Sequence, residues 1–128
     1  MSKNIRRKIL IVDDEPSVLN SLKRTLRKEH DVILSQDGFS AIQVLNEQEI
    51  AVIIADQRMP KMNGVTLLEK AMKIQPDTAR ILVTGYSDIQ TVIDAINEGK
   101  VYYYIHKPWE PEDVHLIIRQ AIDRYKLI

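Results

Sequence analysis

The chain has 128 residues, of which 45% are hydrophobic and 28% are charged, proportions that indicate one globular domain and exclude a disordered chain. Eighteen basic and eighteen acidic residues cancel, so the domain as a whole offers no electrostatic footprint for nucleic acid. The lack of cysteine excludes disulfides and thiolate metal sites, and no apolar run is long enough for a transmembrane helix, so we expect no membrane contact and a cytoplasmic location.

Five short apolar runs predict the strands of one sheet. Each run is shorter than a typical helix, and most are rich in β-branched residues. The third run is apolar throughout and is followed by Pro60 and Gly64, as expected for a strand buried on both faces of a parallel sheet. In chain order the predicted strands are residues 8–12, 31–35, 50–56, 79–85 and 101–105.

Apolar residues at helical spacing predict a helix after each of these strands. Asp14 or Glu15 can cap the first helix, and Pro16 suits its first turn. Pro76 ends the third helix, and Gly99 suits the C-cap of the fourth. The stripes that predict the helices are, in order, Val18, Leu19, Leu22 and Leu26; Phe39, Ile42 and Leu45; Leu67, Leu68, Ala71 and Met72; Ile89, Val92, Ile93 and Ile96; and Val114, Ile117, Ile118, Ala121, Ile122 and Tyr125.

This regular alternation of strands and helices implies right-handed crossovers and a parallel sheet with helices on both faces. The commonest order for five such strands is the flavodoxin-like order 2-1-3-4-5. We therefore predict a doubly wound (βα)5 fold of the α/β class, formed by residues 1–128 as a single domain. In this order the carboxyl ends of strands 1, 3, 4 and 5 lie along one edge, which is where open α/β sheets bind ligands.

Polar side chains follow each of those four strands. Asp13 and Asp14 follow the first strand and Asp56 ends the third, while Thr84 and Lys107 lie at the ends of the fourth and fifth. Three neighbouring carboxylates repel one another and cannot all ionise without a compensating cation, for which Mg²⁺ is the obvious candidate. A carboxylate can accept a phosphoryl group, and a lysine can stabilise the charge on the transferring oxygens. The carboxylates and the lysine at these strand ends therefore predict a site for phosphate chemistry.

The residues beside this edge support that prediction. Pro108 keeps Lys107 out of a helical conformation and makes a cis peptide bond possible, so that the ammonium can point back into the crevice. Gly85 leaves room for a group to approach the loop after Thr84. Taken singly, each polar residue has an ordinary explanation as a helix cap, a strand end or a solvated side chain. That explanation is poor for all the strand ends together.

Two other classes of protein share parts of this pattern. A Mg²⁺-dependent phosphohydrolase also uses a nucleophilic aspartate, but it usually needs an acid–base carboxylate just beyond that residue, where this chain has Arg58. A flavodoxin-like cofactor binder shares the topology, but here the first strand ends in acidic residues and lacks a phosphate cradle rich in glycine or hydroxyl groups. Turnover of a phosphomonoester and the absorbance of a bound flavin distinguish these alternatives.

The strand-end residues resemble the receiver domain of two-component response regulators. The resemblance spans essentially the whole chain, and its motifs occur in order at the ends of successive strands. They are Asp13-Asp14, Asp56, Met59-Pro60, Gly64, Thr84 and Lys107-Pro108.

The resemblance implies that Asp56 accepts a phosphoryl group from a histidine kinase or a phosphotransfer protein. It implies that Mg²⁺ is held by Asp13, Asp14 and Asp56 and by the backbone carbonyl of Arg58, with Lys107 beside the phosphoryl group. Such a domain is a signalling domain that catalyses only its own phosphorylation and slow dephosphorylation, and we therefore expect no enzyme that acts on other substrates.

The resemblance also implies a switch and an output. Thr84 moves towards the phosphoryl group and Tyr104 turns inward, which changes the partner preference of the face made by helix 4, strand 5 and helix 5; the same face could pair two copies of the chain. The sequence is similar to receivers fused to ATPase transcriptional activators or to HD-GYP phosphodiesterases. We expect an N-terminal receiver of a longer regulator, with its output module beyond residue 128 and no direct contact between the receiver and nucleic acid.

Three positions near the predicted acceptor depart from the commonest receiver pattern. Residue 58 is Arg where a shorter polar residue is frequent, residue 85 is Gly where Ala or Ser is usual, and residue 86 is Tyr. Our hypothesis is that Arg58 and Tyr86 obstruct or order the water that hydrolyses the acyl phosphate. Arg58, Gly85 and Tyr86 would then set the lifetime of the phosphorylated state.

Overall fold

Strands and helices alternate along the chain in the computed structural model, which describes residues 6–85 and 88–126. The strands are β1 (Lys8–Val12), β2 (Asp31–Ser35), β3 (Val52–Asp56), β4 (Ala79–Thr84) and β5 (Tyr103–His106). The helices are α1 (Pro16–Leu26), α2 (Gly38–Glu47), α3 (Gly64–Ile74), α4 (Ile89–Asn97) and α5 (Pro111–Lys126). All neighbouring strands pair in parallel, in the order β2-β1-β3-β4-β5. The predicted flavodoxin-like (βα)5 sheet is confirmed.

Alternate residues of each central strand face opposite layers of helices. Ile9 and Ile54 lie in one hydrophobic cluster with α1 and α5, whereas Leu10 and Ile53 lie in a second cluster with α2, α3 and α4. This two-residue alternation explains why β3 is apolar along its length, because both of its faces are covered. No helix within the described part of the chain is long and apolar enough to span a membrane.

Three strands are shorter than their apolar runs predicted. The amide of Ile50 donates to the side chain of Gln75 at 2.9 Å instead of joining the sheet, and β3 begins at Val52. Gln75 also donates to the carbonyls of Leu45 and Gln48, at 2.7 and 2.6 Å, and so holds the end of α2 to the end of α3. The strand β4 ends at Thr84 instead of at the predicted residue 85, and β5 covers residues 103–106 instead of 101–105.

The helix ends agree with the predictions in part. Pro16 begins α1, but the side chain of Glu15 at the N-cap makes no capping hydrogen bond, so the capping interpretation is wrong for that residue. α4 ends at Asn97 with Glu98 at the C-cap, so the predicted Gly99 lies one residue beyond it, with φ +75°. Of the stripe that predicted α2, Phe39 is 58% exposed, because Ala41 occupies the buried face instead.

Arg80 is a charged residue in the core, and its partners there were not predicted from the sequence. Although it carries a charge, it is only 2% exposed. Its guanidinium donates to the carbonyls of Lys100 (2.7 Å), Gly99 (3.2 Å) and Thr78 (3.3 Å), and more weakly to that of Pro76 (3.4 Å). Two of these carbonyls follow the last turn of α4, where the helix dipole also favours a cation. The sequence places Arg80 in a buried strand, but nothing local reveals which carbonyls it would meet.

Substitution of Gly64 is expected to destabilise the domain. A Cβ atom at this position would lie 2.5 Å from the carbonyl oxygen of Asp56 and 2.8 Å from Leu82. Because one of these contacts is with backbone, the strand that carries Asp56 would have to shift. We expect Gly64→Ala to lower the free energy of unfolding by roughly 2 kcal/mol, measured by urea denaturation. Gly85→Ala is the matched control, because its Cβ would meet nothing within 4 Å; equal losses in the two variants would contradict the prediction.

Candidate functional site

Asp56 ends β3 at the carboxyl edge of the sheet, where only 4% of its surface is exposed. One carboxylate oxygen, Oδ1, lies 2.8 Å from Nζ of Lys107. The other, Oδ2, accepts a hydrogen bond from the backbone N–H of Arg58 at 3.1 Å. The carboxylate is therefore buried, oriented and paired with a cation, as a nucleophile at this edge would need to be.

Lys107 reaches Asp56 from the loop after β5. Its backbone N–H donates to the carbonyl of Thr84 at 2.8 Å, which continues the pairing of β4 with β5 by one residue. The Lys107–Pro108 peptide bond is cis, the isomer that the sequence allowed. The Lys107 side chain is 32% exposed, so the ammonium stays accessible to a group that approaches Asp56 from solvent.

Three carboxylates gather beside this lysine. Ligand oxygens of Asp13, Asp14 and Asp56 all lie within 4.8 Å of one another, and no other such acidic or histidine cluster was found in the described residues. Asp13 is 1% exposed; its Oδ1 accepts from the N–H of Glu15 at 2.9 Å, but its Oδ2 has no hydrogen-bond partner within the described residues. A buried oxygen without a donor, next to two more carboxylates, fits a hard cation with oxygen ligands.

Burial, more than the crowding of acidic groups, raises the pKa values of Asp13 and Asp56. Burial, followed by the charge of Asp56, raises the pKa of Asp13 to about 6, against the opposing effect of the Glu15 N–H and of Lys107. Burial also raises the pKa of Asp56, although the hydrogen bond and charge of Lys107 oppose this. For Lys107, burial lowers the pKa, but the hydrogen bond and charge of Asp56 outweigh it and raise the pKa overall. The pocket thus favours a bound cation over three bare carboxylates.

The two residues of the predicted switch differ in their surroundings. Thr84 is buried, and its hydroxyl donates to the carbonyl of Gly85 at 3.2 Å. Tyr104 is 41% exposed and lies on β5 opposite Leu82. Gly85 has open space where a Cβ would be. Tyr86, assigned to the same region by the sequence, lies outside the described residues.

Arg58 makes a contact that the sequence did not reveal. Its Nε and Nη2 atoms donate to Oδ2 and Oδ1 of Asp88, each at 3.1 Å, in a bidentate ion pair. The pair joins the loop after β3 to the start of α4. Arg58 follows β3 and Asp88 follows β4, and these two strands are neighbours in the sheet. The only signal for the pair in the sequence was therefore the opposite charge of two residues beyond adjacent strand ends.

Several apolar side chains of α4, β5 and α5 are exposed. Those that are about 40% exposed or more are Ile89, Ile93, Ile96, Tyr104 and Leu116. Three of them belong to the stripe that predicted α4. Val92 of that stripe is buried, together with Ala95, which the stripe did not include. Scattered apolar residues are normal on a surface, but a set concentrated on the face of α4, β5 and α5 fits an interaction surface.

A parallel α/β sheet with a paired aspartate, an acidic pocket and a lysine at its carboxyl edge is the arrangement that the sequence predicted for a receiver domain. The family model described as the response regulator receiver domain matches residues 9–119. The chain therefore belongs to the response regulator receiver domain family, as the resemblance in its sequence implied.

Individual relatives attach this domain to different activities. The chain is 34% identical over 124 residues to the hydrogenase transcriptional regulatory protein HoxA of Bradyrhizobium diazoefficiens. The aligned region covers 97% of this chain and 26% of HoxA. Among solved structures it is similar to the signal receiver domain of an HD domain-containing protein from Pseudomonas fluorescens Pf-5, with 34% identity, a TM-score of 0.90 and coverage of 97% of this chain and 100% of that one.

A third relative is a structure described as adenylate cyclase from Rhodopirellula baltica, with 35% identity, a TM-score of 0.93 and coverage of 96% of this chain and 92% of that one. The chain spans about a quarter of the length of the curated relatives it matches. The comparisons therefore define the domain and not an output.

Proposed function

We propose that this domain accepts a phosphoryl group on Asp56 from a histidine kinase or a phosphotransfer protein. The observation that carries the proposal is the position of the Asp56 carboxylate, which is buried, 2.8 Å from Lys107 and adjacent to two more carboxylates. Oδ1 or Oδ2 attacks phosphorus, the bond between phosphorus and the donor breaks, and the donor leaves with the electron pair. Lys107 then compensates the negative charge added at Asp56.

We propose Mg²⁺ as the cation of this pocket. Asp13, Asp14 and Asp56 would hold it together with the backbone carbonyl of Arg58, and the orphan Oδ2 of Asp13 supports this assignment. When bound, the ion would neutralise charge on the transferring phosphoryl oxygens. The remaining residues act directly: Lys107 orients Asp56, and the Arg58 N–H holds its second oxygen.

Ionisation of Asp13 is expected to make the effect of Mg²⁺ depend on pH. Folding raises the pKa of Asp13 to about 6. Between about pH 4 and pH 6, Asp13 is therefore protonated in the folded chain and ionised in the unfolded chain. Without metal, the stability that Asp13 contributes therefore falls as the pH rises through this window. Mg²⁺ needs the ionised form, so its stabilising effect should be largest above pH 6 and should disappear as the pH falls towards 5.

Thermal unfolding with Mg²⁺ or a chelator at pH 5 and pH 7.5 measures this effect. Asp13→Asn keeps the acceptor for the Glu15 N–H, so at pH 7.5 in chelator we expect this variant to be more stable than wild type by roughly 1–3 kcal/mol, and to lose the stabilisation by Mg²⁺. An equal gain from Mg²⁺ in wild type and variant at pH 7.5 would argue against Asp13 as a ligand.

We propose that phosphorylation is read through Thr84 and Tyr104. The Thr84 hydroxyl, which donates to the adjacent Gly85 carbonyl, could turn to a phosphoryl oxygen. Tyr104 could then turn inward and alter the apolar face of α4, β5 and α5. That face is the proposed contact with an output module or with a second copy of the chain. The proposed influence of Arg58, Gly85 and Tyr86 on phosphoryl lifetime stays a prediction.

We propose control of transcription as the output, because HoxA is a transcriptional regulatory protein. The HD domain-containing relative supports the alternative of an output module with an HD domain. In both cases the receiver would act in the cytoplasm through its output module and would not contact nucleic acid itself.

Incubation with a small acyl-phosphate donor and Mg²⁺, followed by intact mass measurement, tests the proposed function. We expect the mass to rise by one phosphoryl group. Rapid multiple turnover of a phosphomonoester would favour the phosphohydrolase, and a yellow purified protein would favour the flavin binder.

A further inference from the structure

Gln57 joins the loop after β3 to the start of α3. It directly follows Asp56, and its backbone N–H donates to the carbonyl of Val83 on β4 at 3.0 Å. Its own carbonyl accepts a hydrogen bond from the N–H of Gly64 at 3.1 Å, and its side-chain oxygen Oε1 accepts one from the N–H of Val65 at 2.9 Å. One half-buried residue therefore connects β3, β4 and α3.

These bonds satisfy N–H groups at the start of α3. The first N–H groups of a helix have no partner within it. Gln57 accepts from those of Gly64 and Val65, whereas the N-cap residue Asn63 accepts from that of Thr66 at 2.9 Å. Because a backbone N–H can only donate, the atom of Gln57 that faces Val65 must be the amide oxygen. The side chain of Gln57 thus acts as a second cap of α3.

The peptide bond between Gln57 and Arg58 is held at both of its polar groups. Its carbonyl oxygen accepts from the Gly64 N–H, and its N–H donates to Oδ2 of Asp56 at 3.1 Å. The next carbonyl along the chain is that of Arg58, the backbone group proposed as a ligand of Mg²⁺. The position of that carbonyl therefore depends on how firmly the preceding peptide is tied to α3.

The middle of the same loop is fixed by apolar contacts instead. Met59 and Met62 are 8% and 7% exposed and lie in the hydrophobic cluster that includes residues of α2 and α3. Apolar packing is not directional, whereas a hydrogen bond fixes the orientation of a peptide group. The orientation of the backbone beside Asp56 is therefore set mainly by the hydrogen bonds of Gln57 and Arg58.

We propose that Gln57 is a positioning residue of the cation site, whose side-chain bond to Val65 holds the Arg58 carbonyl where it can bind Mg²⁺. The inference rests on the proposed function, because it deepens the assignment of Mg²⁺ to the acidic pocket. Gln57 acts through the peptide that it shares with Arg58 and not as a ligand. Hydrogen bonds behind a metal ligand orient that ligand in the same way.

The chemistry of Mg²⁺ makes its affinity sensitive to such a bond. The ion requires nearly ideal octahedral geometry and short ligand distances. Loss of a group that orients a ligand typically weakens metal binding by about 10- to 100-fold. We expect the lower end of this range for Gln57, because the Gly64 N–H and the buried Met59 and Met62 still hold the loop.

Titration with Mg²⁺ at pH 7.5, followed by NMR of the backbone amides, tests the inference without a phosphoryl donor. Gln57→Met nearly keeps the size of the side chain but offers no oxygen to Val65, so we expect the Mg²⁺ dissociation constant to rise about tenfold. Gln57→Glu keeps an acceptor of the same reach, and a carboxylate is favourable at a helix N-terminus. This second variant should bind Mg²⁺ at least as tightly as wild type.

Asn63→Ala separates positioning from a general loosening of the helix. It also removes one side-chain cap from the first turn of α3, but it leaves the bonds of Gln57 in place. Both Asn63→Ala and Gln57→Met should therefore lower the thermal midpoint to a similar extent. Only Gln57→Met should weaken Mg²⁺ binding, and the dissociation constant of Asn63→Ala should stay close to that of wild type.

The rate of phosphoryl uptake from acyl phosphate provides a second measurement. With Mg²⁺ in large excess over its dissociation constant, Gln57→Met should react at the wild-type rate, because only its affinity for the ion is reduced. At a Mg²⁺ concentration equal to the wild-type dissociation constant, half of wild type but only about a tenth of the variant would hold the ion. Uptake by Gln57→Met should then be about fivefold slower.

Four results would overturn the inference. They are a wild-type Mg²⁺ affinity in Gln57→Met, equal weakening in Asn63→Ala, binding weaker than wild type in Gln57→Glu, and uptake by Gln57→Met that stays slow at saturating Mg²⁺. A wild type that binds no Mg²⁺ would overturn both the proposed cation and the role of Gln57. A wild type that binds Mg²⁺ but takes up no phosphoryl group would overturn the phosphoacceptor proposal alone, because the titration needs no phosphoryl donor.

Discussion

Replacement of Asp56 with asparagine is expected to abolish phosphoryl uptake from acyl phosphate. The amide is a far weaker nucleophile than the carboxylate and carries no charge to pair with Lys107, which lies 2.8 Å from Oδ1. Because asparagine has nearly the same size as aspartate and keeps an acceptor for the Arg58 N–H, the fold should be retained. Intact mass measurement of wild type and variant should then show a phosphoryl adduct only on wild type.

A matched control makes this result specific. Asp77 is exposed and precedes β4, at the opposite edge of the sheet from Asp56. Asp77→Asn removes one carboxylate without touching the acidic pocket, so its uptake should match that of wild type. An adduct of equal yield on Asp56→Asn would show that another side chain is the acceptor, and the proposed function would then lose its central residue.

Replacement of Arg80 with leucine is expected to cause the largest loss of stability. The substitution removes the donor of the carbonyls of Gly99, Lys100 and Thr78, and Arg80 itself is only 2% exposed. Buried polar groups that lose their partners cost about 1–3 kcal/mol each, and relaxation of the α4 end recovers part of this. We expect the free energy of unfolding to fall by roughly 3 kcal/mol, which lowers the thermal midpoint by about 10 °C in a domain of this size.

Circular dichroism during thermal and urea unfolding measures that loss. Arg119→Leu, at an exposed arginine of α5, is the matched control and should change the free energy of unfolding by less than about 0.5 kcal/mol. At low temperature, where Arg80→Leu is still folded, phosphoryl uptake should match wild type, because Arg80 lies at the far edge of the sheet. An Arg80→Leu variant as stable as the control would mean that the carbonyls find water instead.

The sheet was predictable because the sequence signals for its strands and helices each lie within a short stretch of the chain. Each strand is a short apolar run, each helix an apolar stripe, and the parallel order follows from their alternation. The strand ends then placed Asp13, Asp56 and Lys107 at one edge without any knowledge of the loops. Bounds were less predictable where a distant side chain competes for the backbone, as Gln75 does for the amide of Ile50.

The contacts between distant loops could not be predicted in this way. The pairing of Arg58 with Asp88 depends on how two loops approach each other, and their spacing in the sequence carries no trace of it. The burial of Arg80 depends on the position of the end of α4, which is fixed only when the whole domain has packed. The exposure of Phe39 likewise reflects which residue of α2 meets the sheet and not the hydrophobicity of the side chain.

Because backbone carbonyls neutralise the charge of Arg80, the amino and carboxyl ends of the strands differ in their sensitivity to acid. Its charge is balanced by carbonyl dipoles, and neither a guanidinium nor a carbonyl changes its protonation state between pH 4 and pH 8. The opposite edge depends on Asp13, whose pKa of about 6 lies inside that range. Mild acidification should therefore weaken the proposed binding of a cation at Asp13 while the hydrogen bonds of Arg80 stay unchanged.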